Sequence, residues 1–121
     1  MPTIVKRVLS GSTDGFPINV SSTSTSATVI HTGSTSTNVI DEVWLYAQNS
    51  NTVTVSCWME WGGGASASQL IKFDVFGQSG PECVIPGLII QGRSATGISI
   101  TMGASTSNVI SILGFVNRIT Q

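Results

Sequence analysis

The residues of this sequence that could perform acid–base or nucleophilic chemistry are few and far apart. His31 is the only histidine, and it lies in the segment ATVIHT. The sequence has no second histidine for a metal site, and no cysteine is near enough in sequence to form a dyad with His31. A structural role on a surface or interface is therefore the favoured interpretation of His31. Asp41 and Glu42 are adjacent, and neighbouring residues on a strand point to opposite faces, so these carboxylates cannot act together.

One pair of carboxylates could still do chemistry. Glu42 and Glu60 share a face if residues 39–61 form a single hairpin, and two carboxylates flanking Trp58 would suit the cleavage of a glycosidic bond. The more common role of such carboxylates is simply to be solvated. The Gly62–Gly64 run lacks the Lys-Ser/Thr of a phosphate-binding loop, Asp14 has no acidic neighbours for calcium, and no nucleophile elbow is present. We expect no enzymatic activity, no cofactor and no metal site.

The element that positions these residues is the stretch Val39–Trp61. Apolar residues alternate with polar or aromatic ones on both sides of a small polar turn at residues 49–51, which predicts two paired, half-buried strands. With a turn centred on Ser50, Trp44 would face Ser56 across the hairpin. One face of this predicted hairpin is uniformly apolar.

The other face of the predicted hairpin carries Trp44, Tyr46 and Trp58 on an otherwise polar surface. Aromatic residues of this kind are enriched as anchors in protein interfaces, and a platform of rings among hydroxyls also suits sugar binding. A third interpretation is that a second sheet covers the face and the rings belong to the core. Core and interface are equally favoured, and sugar binding comes after them.

The rest of the chain repeats short alternating segments separated by Gly, Ser and Thr about every ten residues. The predicted strands are 3–9, 16–20, 27–32, 69–76, two short runs hinged at Pro86-Gly87, one around 98–102, and a last stretch, 108–120, that is apolar on both faces. This rhythm, without helical periodicity, predicts a single all-β domain over residues 1–121. We expect an antiparallel β-sandwich of roughly eight strands, with a jelly roll as the working hypothesis for strand order.

Composition restricts the partners. Charged residues are only 9 % of the 121 residues, and the net charge is −1. Without a basic cluster the chain is poorly suited to binding nucleic acid. A surface rich in hydroxyls and poor in charge suits packing against other protein, which favours self-assembly. No segment is long and apolar enough for a signal peptide or a membrane span, so we expect synthesis in a cytoplasm without export. Cys57, on the apolar face, is interpreted as a buried free thiol rather than as the partner of Cys83.

Several segments resemble small proteins encoded among the head and tail genes of tailed bacteriophages. The similarity runs from RVLSGSTDG near the start through IDEVWLYAQN and VIPGLII to ISILGFVNRIT at the end. The resemblance implies a β-sandwich component of the virion, and most readily a decoration or cement protein on the capsid surface, assembled in the host cytoplasm. It further implies a homotrimer bound to the major capsid protein at local three-fold positions.

Two surfaces are predicted to make these contacts. One is formed by Trp44, Tyr46 and Trp58, and the other by Ile4, Val5 and Val8 in the N-terminal segment. Residues 1–10 could form an extended arm that adds a strand to the sheet of a neighbour. The alternatives are a receptor- or glycan-binding module of a fibre or tail that uses the exposed aromatic residues, and a structural subunit of the tail or neck.

Overall fold

The computed structural model describes residues 2–24, 28–62 and 69–121. These ranges form nine β-strands and contain no helix that could cross a membrane. The strands are β1 Thr3–Val8, β2 Ile18–Asn19, β3 Thr28–Thr32, β4 Val39–Asn49, β5 Val55–Trp61, β6 Leu70–Val75, β7 Glu82–Gln91, β8 Ser99–Ala104 and β9 Ile110–Thr120.

The strands form two antiparallel sheets that pack face to face. Sheet A has the order β1-β9-β4-β7, and sheet B has the order β3-β8-β5-β6. The short strand β2 also pairs with β9, at Ile112 and Ser111, whereas β1 pairs with residues 115–120 of the same strand. Strands β1 and β2 therefore lie end to end along one edge of β9. The prediction of an all-β sandwich is confirmed.

The strand order follows from nested antiparallel pairs. Strand β5 pairs with β6, β4 with β7, β3 with β8, and β1 and β2 with β9. The ladders between β4 and β9 and between β5 and β8 then join these pairs into a five-stranded layer and a four-stranded layer. This folding of one long antiparallel ribbon into two sheets is the jelly roll.

The prediction that residues 39–61 form one hairpin is wrong. Strand β4 belongs to sheet A and β5 to sheet B, so the chain crosses from one layer to the other between them. Asn49 holds this crossing, because its side-chain amide donates hydrogen bonds to the carbonyls of Val53 and Val75, each at 3.0 Å. The two-sheet arrangement agrees equally well with the alternation of apolar residues in β4 and β5. The apolar faces of the two strands meet across the core instead of lying side by side in one sheet.

The core consists of the inner faces of both sheets. In β4 the odd-numbered residues are fully buried and the even-numbered ones are half-buried, as the alternation predicted. The partners that face them from sheet B are buried to the same degree. The most enclosed large side chains are Leu9, Ile30, Leu45, Met59, Ile85, Ile100, Met102, Ile110 and Ile112.

The remaining predicted strands lie at the positions of strands in the structure, but two predicted runs form a single strand. Residues 82–91 form one strand, in which Gly87 has φ +82° and the register with β4 shifts, so that the two predicted runs are joined. The predicted glycine-rich loop lies outside the described residues except for Gly62, and so does the last part of the Ser/Thr loop at 21–26.

Candidate functional site

The outer face of sheet A carries a continuous set of apolar side chains. Cross-strand partners share a face, so the register places side chains from β1, β9, β4 and β7 in rows across this surface. Its apolar members are Ile4, Val8, Ile40, Trp44, Tyr46, Ile89, Leu113, Phe115 and Ile119. Each of them is partly or largely exposed, and Ile4 reaches 67 % exposure.

Trp44 lies at the centre of this face and is held in one orientation. Its ring stacks on Phe115, with centroids 6.2 Å apart and planes inclined by 11°. The indole Nε1 donates a hydrogen bond of 2.8 Å to Glu42 Oε1, which also accepts one from Asn117 at 2.9 Å. These two bonds hold the pKa of Glu42 below its usual value. Gly87 lies under the indole, where a Cβ would come within 3.0 Å of the ring.

Strand β1 completes the face at the edge of sheet A. Every residue of β1 is exposed, and Lys6 places its ammonium 4.7 Å from the Phe115 ring centroid in a cation–π contact. Ile4 and Val8 lie on the outer face with Lys6, whereas Val5 pairs with Arg118 and points to the other side. The N-terminal residues predicted as a possible free arm are thus a strand paired along β9 of the same chain.

The predicted aromatic trio does not share one surface. Trp44 and Tyr46 lie on the outer face of sheet A, but Trp58 belongs to sheet B and is paired with Gly103. The trio was expected together only because β4 and β5 were expected to pair. Glu42 and Glu60 are separated for the same reason, so the predicted pair of carboxylates around Trp58 is not formed.

His31 takes part in a buried polar cluster that the sequence did not reveal. A bulge in β3 turns His31 inward beside Ile30, where it is 2 % exposed. Its Nε2 lies 2.8 Å from Asp41 Oδ2, and the Arg118 guanidinium donates to both oxygens of Asp41, each at 2.8 Å. Because His31 comes from sheet B and the other two residues from sheet A, the cluster ties the two layers together.

Both ring nitrogens of His31 are engaged. The backbone N–H of Ser10 donates to Nδ1 at 3.0 Å, so the proton must lie on Nε2, which donates to Asp41. The Ser10 hydroxyl instead accepts a hydrogen bond from the Thr32 N–H at 2.7 Å. The residue types are those of a catalytic triad, but the Ser10 hydroxyl does not contact the His31 ring. His31, Asp41 and Arg118 therefore form a structural link between the two sheets, which we call the clamp.

The Asp41 carboxyl makes the clamp sensitive to acid. Burial raises its pKa, but the hydrogen bonds from Arg118 and His31 and the Arg118 charge outweigh this effect and hold the pKa well below the usual value. A carboxyl whose pKa is lower in the folded state stabilises the fold above its unfolded pKa of about 3.9, and this stabilisation is lost as the pH falls below that value.

We therefore expect the urea midpoint to fall as the pH is lowered below about 4, where Asp41 takes up a proton in the unfolded chain but not yet in the folded one. The Asp41→Asn variant should be less stable at neutral pH and should show a flatter decline with acid, because its side chain does not titrate. Urea unfolding followed by tryptophan fluorescence measures both effects. An identical acid dependence in the two proteins would show that the clamp does not control acid stability.

The two cysteines are both free. Cys57 is buried, as predicted from its place on the apolar face, and burial followed by the nearby Asp74 charge raises the pKa of its thiol to about 11. Cys83 is exposed in β7, on the other sheet. Among the described residues no group of three or more His, Cys, Asp or Glu side chains is arranged to hold a metal ion.

Two open cavities lie at the surface of the described chain. One, of about 440 Å³, lies between the turns around Ser50 and Ser79. The other, of about 410 Å³, lies on sheet B and is lined by Glu60, Thr101 and Arg93 among other residues. Arg93 was not among the predicted site residues, since only the loop between β7 and β8 brings it to this position.

Comparisons with known proteins do not add an assignment. No model of a known protein family matches the chain, and no curated protein matches it either.

Proposed function

We propose that this protein is a non-enzymatic structural component of a bacteriophage virion, a decoration or cement protein that binds the shell of major capsid proteins as a homotrimer. The observation that carries the proposal is the apolar outer face of sheet A. No described element covers this face, and Ile4, Val8 and Ile89 are each more than half exposed on it.

The energetics of this face favour contact with protein. Soluble monomers seldom expose large continuous apolar patches, and burial contributes roughly 25 cal/mol per Å² before the costs of association. The face carries few charges, and Glu42 and Lys6 already contact neighbours on the same face. Little charge would therefore have to be desolvated when a partner covers it.

Stacking and hydrogen bonding prepare the face for binding. Trp44 is fixed by Phe115, Glu42 and the close approach of Gly87, so little side-chain freedom remains to be lost on association. Tryptophan in such a setting is a frequent centre of binding energy. Trp44 and Tyr46 are accordingly assigned to the proposed interface, and Trp58 is not.

The free edge of β1 offers a second mode of contact. Strand β1 is the outermost strand of sheet A, and its unpaired backbone groups could extend the sheet of a neighbouring copy. Ile4 and Val8 would then contribute to the apolar contact, and Val5 would lie on the opposite face of the extended sheet. Many copies, each bound with modest affinity to a shell, would stabilise it through their number.

Introducing a charge on this face should abolish assembly. We expect the wild type to form a trimer of about three times the 12.6 kDa chain mass, and Ile4→Lys to be monomeric with at least about tenfold weaker occupancy of empty capsids. Light scattering coupled to size exclusion measures the mass, and co-sedimentation with capsids measures the occupancy. The new lysine side chain would have to be desolvated in the interface, which opposes binding.

The matched control is Val53→Lys, since Val53 is another β-branched residue of similar exposure, 60 % against 67 % for Ile4, and it lies in the crossing between β4 and β5. This variant should keep the mass and occupancy of the wild type. Equal behaviour of the two lysine variants, or a monomeric wild type that still decorates capsids, would remove the outer face of sheet A from the proposal.

A second candidate function is glycan binding by a fibre or tail module. The cavity beside Glu60 favours it, because this cavity presents buried polar groups that have no partner among the described residues. The aromatic residues of sheet A do not favour it over a protein interface.

A further inference from the structure

The cavity on the outer face of sheet B is built from polar groups. Its volume of about 410 Å³ is within the range of small-molecule sites, about 300–1,000 Å³. Among the residues that the structure describes, five polar side chains and two glycines line it, and no apolar side chain does. The lining side chains are Glu60 from β5, Ser99 and Thr101 from β8, and Arg93 and Thr96 from the loop between β7 and β8.

Two of these side chains are buried without partners. Glu60 and Thr101 are cross-strand neighbours, 5 % and 8 % exposed, and neither Glu60 Oε2 nor Thr101 Oγ1 has a hydrogen-bond partner in the described chain. A buried polar atom without a partner destabilises the fold, and more so when it is charged. Such groups side by side, facing one cavity, are what a polar ligand would satisfy.

The lining of the cavity also contains hydrogen-bond donors. Arg93 uses one nitrogen, Nη2, for hydrogen bonds to Thr96 Oγ1 at 3.2 Å and to the Gly97 carbonyl at 3.1 Å, which fix the guanidinium at the cavity wall. A guanidinium carries five N–H donors, so further donors remain for a ligand. The site therefore combines one acceptor group, one donor group and hydroxyls that can do either.

A neutral ligand with closely spaced hydroxyl groups fits this combination. Each sugar hydroxyl can donate to the Glu60 carboxyl group and accept from Arg93 or Thr101. Trp58 lies two residues from Glu60 on the same face of β5, outside the lining of the cavity. Its Nε1 is a further buried polar atom without a partner in the described chain.

We propose that this cavity binds a monosaccharide unit of a glycan, with the Glu60 carboxylate and the Arg93 guanidinium as its two principal contacts. A metal ion fits less well, because Glu60 is the single carboxylate among the described residues of the lining and Arg93 repels cations. An organic ammonium would meet the same repulsion. The proposal is independent of assembly through sheet A.

The test is saturation-transfer NMR on the full-length protein with a panel of methyl glycosides of common hexoses and N-acetylhexosamines, followed by titration calorimetry of those that bind. We expect saturable binding in the millimolar range, weakened about tenfold or more in Glu60→Gln and in Arg93→Met, since each loses charge-assisted hydrogen bonds. Glu82→Gln, which makes the same change at an exposed position on sheet A, should bind as the wild type does.

Thermal unfolding gives an independent measure. Without ligand, Thr101→Val should melt a few degrees above the wild type, because it removes a buried hydroxyl that has no partner in the described chain. Glu60→Gln should melt no lower than the wild type, because it replaces the buried carboxyl with a neutral amide of the same shape. This separates a binding role from a structural one, in which the same changes would lower the melting temperature. The proposal fails if none of the glycosides binds, if binding is unchanged in Glu60→Gln, or if ethanolamine or spermidine binds in place of the sugars.

Discussion

Arg118→Met should lower the free energy of unfolding by about 3 kcal/mol at neutral pH, because it leaves the Asp41 carboxylate buried with one hydrogen-bond partner instead of two. Asp41 is 1 % exposed and receives two of its three hydrogen bonds from Arg118. Methionine keeps most of the volume of arginine but brings no donor. His31 remains in contact, but Nδ1 is already an acceptor for Ser10, so the ring cannot replace the lost charge without breaking that bond.

Urea unfolding of Arg118→Met and of Arg7→Met measures this effect against a matched control. Arg7 is an exposed arginine on the neighbouring strand β1, and its replacement should change the stability by no more than about 0.5 kcal/mol. The difference in the free energy of unfolding between the two variants should become smaller as the pH falls, since a protonated Asp41 no longer needs the positive charge of Arg118. Equal midpoints for the two variants at neutral pH would mean that the clamp contributes little to the fold.

Gly114→Ala should be destabilising by about 2–4 kcal/mol, because a side chain at this position meets the backbone of the neighbouring strand. Gly114 pairs with Leu45 in the ladder between β9 and β4 and has φ +157°. A Cβ added there would lie 2.0 Å from the Trp44 carbonyl oxygen, so the two central strands of sheet A would have to separate. The separation would also disturb the stacking of Trp44 on Phe115.

Thermal unfolding checks this prediction, with Gly80→Ala as the control. Nothing lies within 4 Å of a Cβ added at Gly80, so alanine there should be neutral or slightly stabilising. If the outer face of sheet A forms the interface, Gly114→Ala should also weaken capsid binding, whereas Gly80→Ala should not. A melting temperature unchanged in Gly114→Ala would show that β4 and β9 tolerate a wider spacing.

The fold class was within reach of the sequence because period-two alternation is a local property. In β4, the positions of Val43, Leu45 and Ala47 identified the buried face correctly, and in β6 the same is true of Val75. Turn residues between the strands located most of the boundaries. The apolar pattern on both faces of residues 108–120 agrees with the place of β9 inside sheet A, between β1 and β4.

Strand pairing was beyond the reach of these patterns. An alternating pair of strands joined by a polar turn fits a hairpin in one sheet and a crossing between two sheets equally well, since both bury the same faces. The choice depends on residues far along the chain: β7 and β9 occupy the edges of β4, and β6 and β8 occupy those of β5. For this reason the predicted trio of Trp44, Tyr46 and Trp58 was divided between opposite surfaces.

The polar sites show the same division between local and tertiary information. The sequence determined that His31, Asp41 and Glu60 are rare polar groups in apolar strands, and that the chain has little charge to pair them with. Only the tertiary structure decided their partners. Arg118 reaches Asp41 across 77 residues, and the loop after β7 brings Arg93 to the cavity of Glu60. The alternation of apolar and polar residues is a property of each strand's own sequence, whereas contacts between the layers depend on which strands the fold of the whole chain brings together.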